Sequence, residues 1–162
     1  MLDSATGVPQ SDYPGSNASA WQLLSLAHEY RGSCLLLLAR REGMEPHQLA
    51  PARLLAIQAI ELYLNALLLD AGKAPQTIRG FQHDLSARAR LAADRGLVLR
   101  ARTAEHLAGL TTRREYLTAR YGPELLGTQS QLNRLTATLE EVAHKVTARV
   151  NRNIEARFAR RG

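Results

Sequence analysis

The sequence predicts an all-α fold, an antiparallel bundle of four to five helices with a long C-terminal helix. Hydrophobic residues make up 45% of the chain but aromatic residues only 5%, and the many Leu, Ala and Arg residues favour helices over strands. Several stretches repeat apolar residues every three or four positions. With 162 residues, the chain fits one domain that buries ~70% of its unfolded surface. We assign residues 1–18, rich in Gly, Pro and Ser, to a disordered arm and 19–162 to the helical domain.

The longest apolar run, residues 54–72, predicts a core helix. One side of that helix would carry Leu54, Ile57, Ile60, Leu64, Leu67 and Leu68. Pro51 suits the first turn and Gly72 the end of this helix. Glu61 falls on or beside the buried side, and a buried carboxylate needs a partner.

Four further helices complete the predicted bundle. The first is capped by Ser19, ends near Gly43 and packs antiparallel to the core helix. The others cover residues 83–94, 99–119 with a break at Thr111–Thr112, and 129–160. The last would be ~48 Å long, so part of it must project or pair with another chain.

The charge is unevenly distributed along the chain. The net charge is +6, and the excess lies in residues 79–120, with nine basic and four acidic side chains, and 145–162, with six and one. Such segments attract phosphate groups, although a solvated arginine-rich face is an equally simple explanation. The last helix also has an apolar side suited to dimerisation.

Several classes of protein are excluded by what the sequence lacks. Cys34 is the only cysteine, so no intrachain disulfide or thiol cluster is expected, and no histidine pair suggests a metal. The N-terminus lacks a signal-peptide pattern, and no apolar run approaches ~20 residues. We expect a cytoplasmic protein with no metal, no cofactor and no membrane partner.

One part of the chain resembles a known family. The matching positions are Glu61, Leu64, Ala66, Leu67, Gly72, His83-Asp84-Leu85, Ala92 and Gly96-Leu97, with a second patch at Arg113–Pro123. They resemble HEPN domains (higher eukaryotes and prokaryotes nucleotide-binding). The chain would be a divergent member of that family, because it lacks a strict Arg-x4-His motif. The resemblance implies a helical bundle that often dimerises and acts either as a metal-independent RNA endonuclease or as a non-catalytic binding partner.

Arg100 and His106 are the candidate catalytic residues of the nuclease alternative. They match the family's arginine–histidine motif loosely, because Arg100 precedes His106 by six positions. Histidine could activate a 2′-hydroxyl and arginine could hold the phosphate. On one continuous helix they would lie on different sides, so they converge only if Arg100 precedes the helix or a dimer brings two copies together.

Two further groups of polar residues are candidates. Arg113, Arg114, Tyr116, Arg120 and Tyr121 are the candidate nucleic-acid-binding residues, since arginine binds phosphate and tyrosine stacks on bases. On one helix three of them would share a face. The alternative is solvated arginines beside tyrosines at the border of the core.

Glu61 and His83 form the second group. They are expected to make a structural hydrogen bond between the core helix and the third helix. An acid/base dyad is the functional alternative.

The leading hypothesis is a non-catalytic HEPN-like module that binds nucleic acid, a nucleotide or a partner protein. The resemblance implies a prokaryotic stress or defence system of the toxin–antitoxin kind. A homodimer is expected, and a nucleotidyltransferase-type protein is a possible partner. The alternatives are a HEPN endoribonuclease toxin using Arg100 and His106, and a purely structural helical adaptor.

Overall fold

The computed structural model describes residues 13 to 162, in which the regular secondary structure is all helical and no strand occurs. The elements are α1 (Ala20–Leu38), α2 (Pro46–Asp70), α3 (Pro75–Gly80), α4 (Leu85–Asp94), α5 (Ala101–Thr112), α6 (Glu115–Tyr121), a 3-10 helix (Pro123–Thr128) and α7 (Leu132–Ala159). Five of the α-helices have ten or more residues, and α7 is the longest. The predicted all-α bundle with a long C-terminal helix is confirmed.

Helix α2 forms the centre of the bundle and is enclosed by α1, α4, α6 and α7. Every residue from Ala59 to Leu64 is buried, so the helix is covered on all sides rather than on the single side expected from its apolar spacing. By length and composition α2 could cross a membrane, contrary to the sequence analysis. However, 67% of its apolar 18-residue stretch is buried inside the protein. Such burial is typical of the core helix of a bundle.

The start of α2 lies earlier than the sequence analysis placed it. Pro46 occupies the first turn, and the backbone N–H of Glu45 donates to Oε1 of Gln48 at 2.8 Å. This capping contact begins the helix within the predicted linker, so Pro51 lies inside the helix. Gly72 follows the C-terminus in the left-handed conformation, with φ of +85°.

Helices α1 and α2 form an antiparallel hairpin. Ser19 caps α1 as predicted, because its hydroxyl accepts from the backbone N–H of Gln22 at 3.1 Å. Near the middle of both helices, the Tyr63 hydroxyl and Nδ1 of His28 are 2.7 Å apart. The helix α1 ends at Leu38, earlier than the predicted end near Gly43.

Helix α7 runs in the same direction as α2. Before its first turn, the carbonyl of Ser130 accepts from Arg53 near the start of α2 at 2.8 Å. Near its end, Nδ2 of Asn153 donates to Oδ2 of Asp70 at the end of α2, at 2.6 Å. Its 28 residues span ~42 Å, and Phe158 in the last turn is 71% exposed. The final turns thus present an apolar side chain to solvent.

The residues before α1 contact the bundle. Residues 1 to 12 of the predicted arm lie outside the described residues. Residues 13–17 form a bend and turns, in which the N–H of Ser16 donates to the carbonyl of Tyr13 at 2.9 Å. The Tyr13 ring lies under the guanidinium of Arg79 at 4.2 Å. Residues 13–17 therefore form turns that reach α3 through Tyr13.

A buried arginine joins α4 to α2 and α3. Arg88 is 2% exposed, and its Nε donates to Oδ1 of Asn65 at 2.7 Å. Its terminal nitrogens lie 3.4 Å from Oε1 of Glu61 and 3.3 Å from the carbonyls of Ile78 and Asp84. Burial lowers the pKa of Arg88, and Glu61 opposes that change. The cluster satisfies nearly all of the guanidinium donors inside the protein.

The Glu61–His83 contact expected from the sequence is present, but it lies at the edge of this cluster. Nδ1 of His83 is 3.1 Å from Oε2 of Glu61, and the histidine side chain is 42% exposed. The buried partner of Glu61 is Arg88, which the sequence analysis did not single out. The position of α4 is therefore fixed by the ion pair between Arg88 and Glu61 as well as by the hydrogen bond between His83 and Glu61.

Replacing Arg88 tests whether this cluster holds the fold. Arg88→Met retains most of the side-chain volume but leaves Glu61 buried without its cation, so we expect a loss of ~3 to 5 kcal/mol in the free energy of unfolding. Urea denaturation followed by circular dichroism measures it. Arg90→Met on the exposed side of α4 is the matched control and should cost under ~1 kcal/mol. Equal losses for both variants would contradict a structural role for Arg88.

Candidate functional site

The candidate site begins at the break between α5 and α6. The hydroxyls of Thr111 and Thr112 donate to the carbonyls of Leu107 and Ala108, at 3.1 and 3.0 Å, within the helix they end. Such bonds weaken and bend a helix, and α5 ends at Thr112 as predicted. Arg114 then adopts the left-handed conformation with φ of 51°, which redirects the chain before α6.

This break separates the candidate nucleic-acid-binding residues. The prediction that Arg113, Tyr116 and Arg120 share one helical face is wrong for Arg113, which caps the end of α5, whereas Tyr116 and Arg120 lie four residues apart on α6. The Tyr116 ring packs against His83, with centroids 4.5 Å apart. The guanidinium of Arg120 lies 5.1 Å from the centroid of the exposed Tyr121 ring. Arg114, at the turn, is exposed.

Arg113 is directed toward α5. Its terminal nitrogens lie over Gly109, where a Cβ atom would meet them at 2.9 Å, and its Nε donates to Oε1 of Glu115 at 3.0 Å. The absence of a side chain at position 109 therefore leaves room for the guanidinium to lie along α5. Its terminal nitrogens remain available to a ligand because the bond to Glu115 uses only Nε.

Glu115 is the buried acid of the site. It is 1% exposed, and both of its oxygens accept from Ser130, one from the backbone N–H at 2.8 Å and one from the hydroxyl at 2.9 Å. Arg53 in turn donates to the carbonyl of Ser130. The sequence analysis missed Glu115, Ser130 and Arg53, since nothing in their local pattern distinguishes them from surface residues.

His106 lies in the floor of the site. It is 7% exposed; its Nδ1 is 2.7 Å from the hydroxyl of Thr138, and its Nε2 is 2.9 Å from the hydroxyl of Ser130. Burial lowers the pKa of His106 to about 4; the carboxylate of Glu115 opposes this change, and nearby arginines, Arg134 first, add to it. The imidazole is therefore neutral at pH 7, and both of its nitrogens are engaged.

Arg100 belongs to a neighbouring network. It stands immediately before α5, and its backbone N–H and Nε donate to the two oxygens of Glu141 at 2.8 and 3.0 Å. Lys145 donates to the same carboxylate at 2.6 Å, and Thr103 also donates to it. Burial raises the pKa of Glu141, but the hydrogen bonds from Lys145, Thr103 and Arg100 outweigh it and lower the pKa to about 2. Glu141 is thus a stable anion.

The structure does not join Arg100 to His106. Arg100 precedes the helix, which is one arrangement that would let the pair converge, but its side chain is 74% exposed and bound to Glu141. His106 is bound instead to Thr138, one turn before Glu141 on α7. Within residues 13–162, the two residues therefore occupy adjacent networks with different partners.

Three arginines line an open groove above His106. The groove has a volume of about 580 Å³ and is bordered by Arg102, Arg113 and Arg134. Arg134 donates to the hydroxyl of Thr103 at 3.4 Å, and Arg102 is exposed without a side-chain hydrogen bond or ion pair to any described residue. Glu105 also lines the groove and is the only acid exposed there.

The N-terminus of α7 forms one end of the groove. Gln131 precedes this 28-residue helix and makes no side-chain capping bond. The backbone N–H groups of the first turn therefore lack a side-chain acceptor, and the helix dipole adds partial positive charge at that end. The groove combines these donors with the arginine side chains, which is an arrangement suited to anions.

Metal binding has little support in the described part of the chain. No group of three His, Cys, Asp or Glu side chains in that part could hold a metal ion. Cys34 is buried in the core, where burial raises the pKa of its thiol to about 11. The thiol is therefore protonated at neutral pH.

Comparisons with protein-family models, curated protein sequences and solved structures gave no match to this chain. The interpretation of the groove consequently depends on its own geometry and charge.

The buried neutral state of His106 should appear in the pH dependence of stability. The unfolded chain binds this proton near pH 6.5 and the folded chain only near pH 4, so the free energy of unfolding should fall as the pH drops through that window, by at most about 3 kcal/mol. Urea denaturation between pH 7 and pH 5 measures the slope.

His106→Gln should show a shallower slope than the wild type over the same range. His47→Gln, which removes an exposed histidine from the start of α2, is the matched control and should keep the wild-type slope. A wild-type slope in His106→Gln would mean that His106 is not buried in its neutral form.

Proposed function

We propose that this protein is a non-catalytic helical module that binds the phosphate backbone of single-stranded RNA in the groove bordered by Arg102, Arg113 and Arg134. The convergence of these three guanidinium groups on one open groove carries the proposal. Each guanidinium can donate two hydrogen bonds to a phosphate. They come from α5, from the break after it and from α7, so the fold assembles them from separate parts of the chain.

The charge of the groove favours an anion. Glu105 offsets one of the three positive charges, and the carboxylate of Glu115 lies beneath the surface, bound to Ser130 and Arg113. The first turn of α7 adds backbone donors at one end. An open groove with spaced cations suits an extended polyanion better than a small molecule, which usually occupies an enclosed apolar pocket.

Binding is a better interpretation than catalysis. A general base works best with a pKa near the operating pH, whereas the pKa of His106 is about 4 and both of its nitrogens already have partners. Arg100, the other residue of the nuclease alternative, holds Glu141. These contacts give both residues structural roles, His106 in the floor of the groove and Arg100 in the neighbouring network around Glu141.

The resemblance to HEPN domains is compatible with this proposal, because some members of that family are non-catalytic. It implies a cytoplasmic protein of a prokaryote that acts as the binding partner in a stress or defence system. The exposed apolar side chains Trp21 and Leu36 on α1, and Phe158 on α7, are candidates for a homodimer interface or a partner protein. A nucleotidyltransferase-type partner remains part of this proposal.

RNA binding should depend on Arg102. Arg102 has no structural partner among the described residues, so Arg102→Gln should weaken binding without altering stability. For three phosphate contacts, the slope of log affinity against log salt should be about −2, and the variant's slope should be shallower by about 0.7. Fluorescence anisotropy with a labelled single-stranded RNA measures both quantities.

Arg40→Gln is the matched control for this experiment. Arg40 is an exposed arginine in the turn after α1 that does not line the groove, and its replacement should leave both affinity and salt slope unchanged. Equal effects of the two substitutions would indicate binding through net charge alone, and a salt-independent affinity would contradict the phosphate contacts.

The protein should not cleave RNA through His106. Incubating the purified protein with the same RNA, with EDTA present, should give no cleavage above the level of His106→Ala, as followed on a denaturing gel. Cleavage by the wild type that is lost in His106→Ala would overturn the non-catalytic assignment and establish the endonuclease alternative.

A further inference from the structure

A second cavity shares no lining residue with the arginine groove. Its volume is about 820 Å³, and residues 13–16, α1, α2 and α3 enclose it. The apolar part of its wall comprises Leu23, Leu26, Leu62, Leu69 and Ile78. A cavity of this size and lining is typical of a small-molecule site.

The cavity contains one cation without an anionic partner among the described residues. The guanidinium of Arg79 stacks on the Tyr13 ring at 4.2 Å but makes no side-chain hydrogen bond or ion pair with residues 13–162. Arg79 is half-buried, so its charge is only partly solvated. Its five N–H donors therefore favour an anionic group at this point of the wall.

The other charged residues of the cavity compensate one another. The carboxylate of Glu61 has Arg88 on one oxygen and His83 on the other. The pair formed by Glu61 and Arg88 is neutral as a whole, which leaves the charge of Arg79 uncancelled.

We propose that this cavity binds a small amphipathic carboxylate, such as a medium-chain acyl acid. The acyl chain lies against the leucines of α1 and α2, where it is removed from water. The carboxylate accepts hydrogen bonds from Arg79. A neutral chain leaves Arg79 without an anionic partner, and a cationic chain is repelled by Arg79, so the site selects the acid.

Titration calorimetry of the full chain with octanoate, 1-octanol and octylammonium tests the proposal. Octanoate should bind with one-to-one stoichiometry, and the alcohol and the amine should bind at least about tenfold more weakly, because they lose a charge-assisted hydrogen bond. No binding of octanoate at millimolar concentration, or equal binding of octanol, overturns the proposal.

Two variants identify the residues that bind the ligand. Arg79→Met retains an apolar stem and should weaken octanoate about tenfold without weakening octanol. Leu26→Trp, at a partly exposed position of the wall, should fill the cavity and weaken both ligands, with circular dichroism showing a folded chain. Unchanged octanoate affinity in either variant places the ligand elsewhere and overturns the proposal.

The two sites can be tested separately. Arg102→Gln lies in the arginine groove, so it should leave octanoate binding unchanged, and Arg79→Met should leave RNA binding unchanged. If Arg102→Gln also weakens octanoate, the acid binds in the groove and the second site is excluded. This result would not affect the proposal of RNA binding.

Discussion

Complete enclosure of α2 is the constraint on which the rest of the structure depends. A helix buried on every side cannot leave a polar side chain unpaired, yet α2 carries both Arg53 and Glu61 inside the bundle. Each polar group is satisfied by a different part of the chain: Arg53 by the carbonyl of Ser130 before α7, and Glu61 by Arg88 of α4. The polar partners of α2 therefore determine where α4 and α7 lie, while its apolar side chains supply most of the burial.

Buried polar groups with several partners also position the residues of the arginine groove. Ser130 connects three elements. Its carbonyl accepts from Arg53, and its N–H and hydroxyl donate to Glu115. The hydroxyl oxygen also lies 2.9 Å from Nε2 of His106. Glu115 then holds Arg113, so the exposed cation is positioned by a buried anion. Binding groups held by such networks lose less conformational freedom on meeting a ligand than free surface arginines do.

Much of the fold could be predicted from the sequence, because apolar spacing and caps act locally. Ser19, Gly72 and the threonine pair before Arg113 each mark a helix end within a few residues of its observed position. The arginine groove could not be predicted in this way. Glu115 meets the backbone fifteen positions later, and the turn at Arg114 decides which arginines face together. Such long-range contacts have no local pattern, and the resemblance that selected Arg100 and His106 says nothing of their separate partners.

The left-handed turn at Arg114 has an evolutionary consequence. An arginine with φ of 51° adopts a conformation that costs most L-amino acids ~1 kcal/mol or more and that glycine and asparagine adopt readily. Replacement of Arg114 by Gly, Asn or Asp should therefore be tolerated during evolution. Replacement by Val, Ile or Thr should be selected against, because their branched Cβ atoms oppose the turn. The residue type at position 114 would then be limited by the left-handed backbone conformation rather than by the need for a positive charge.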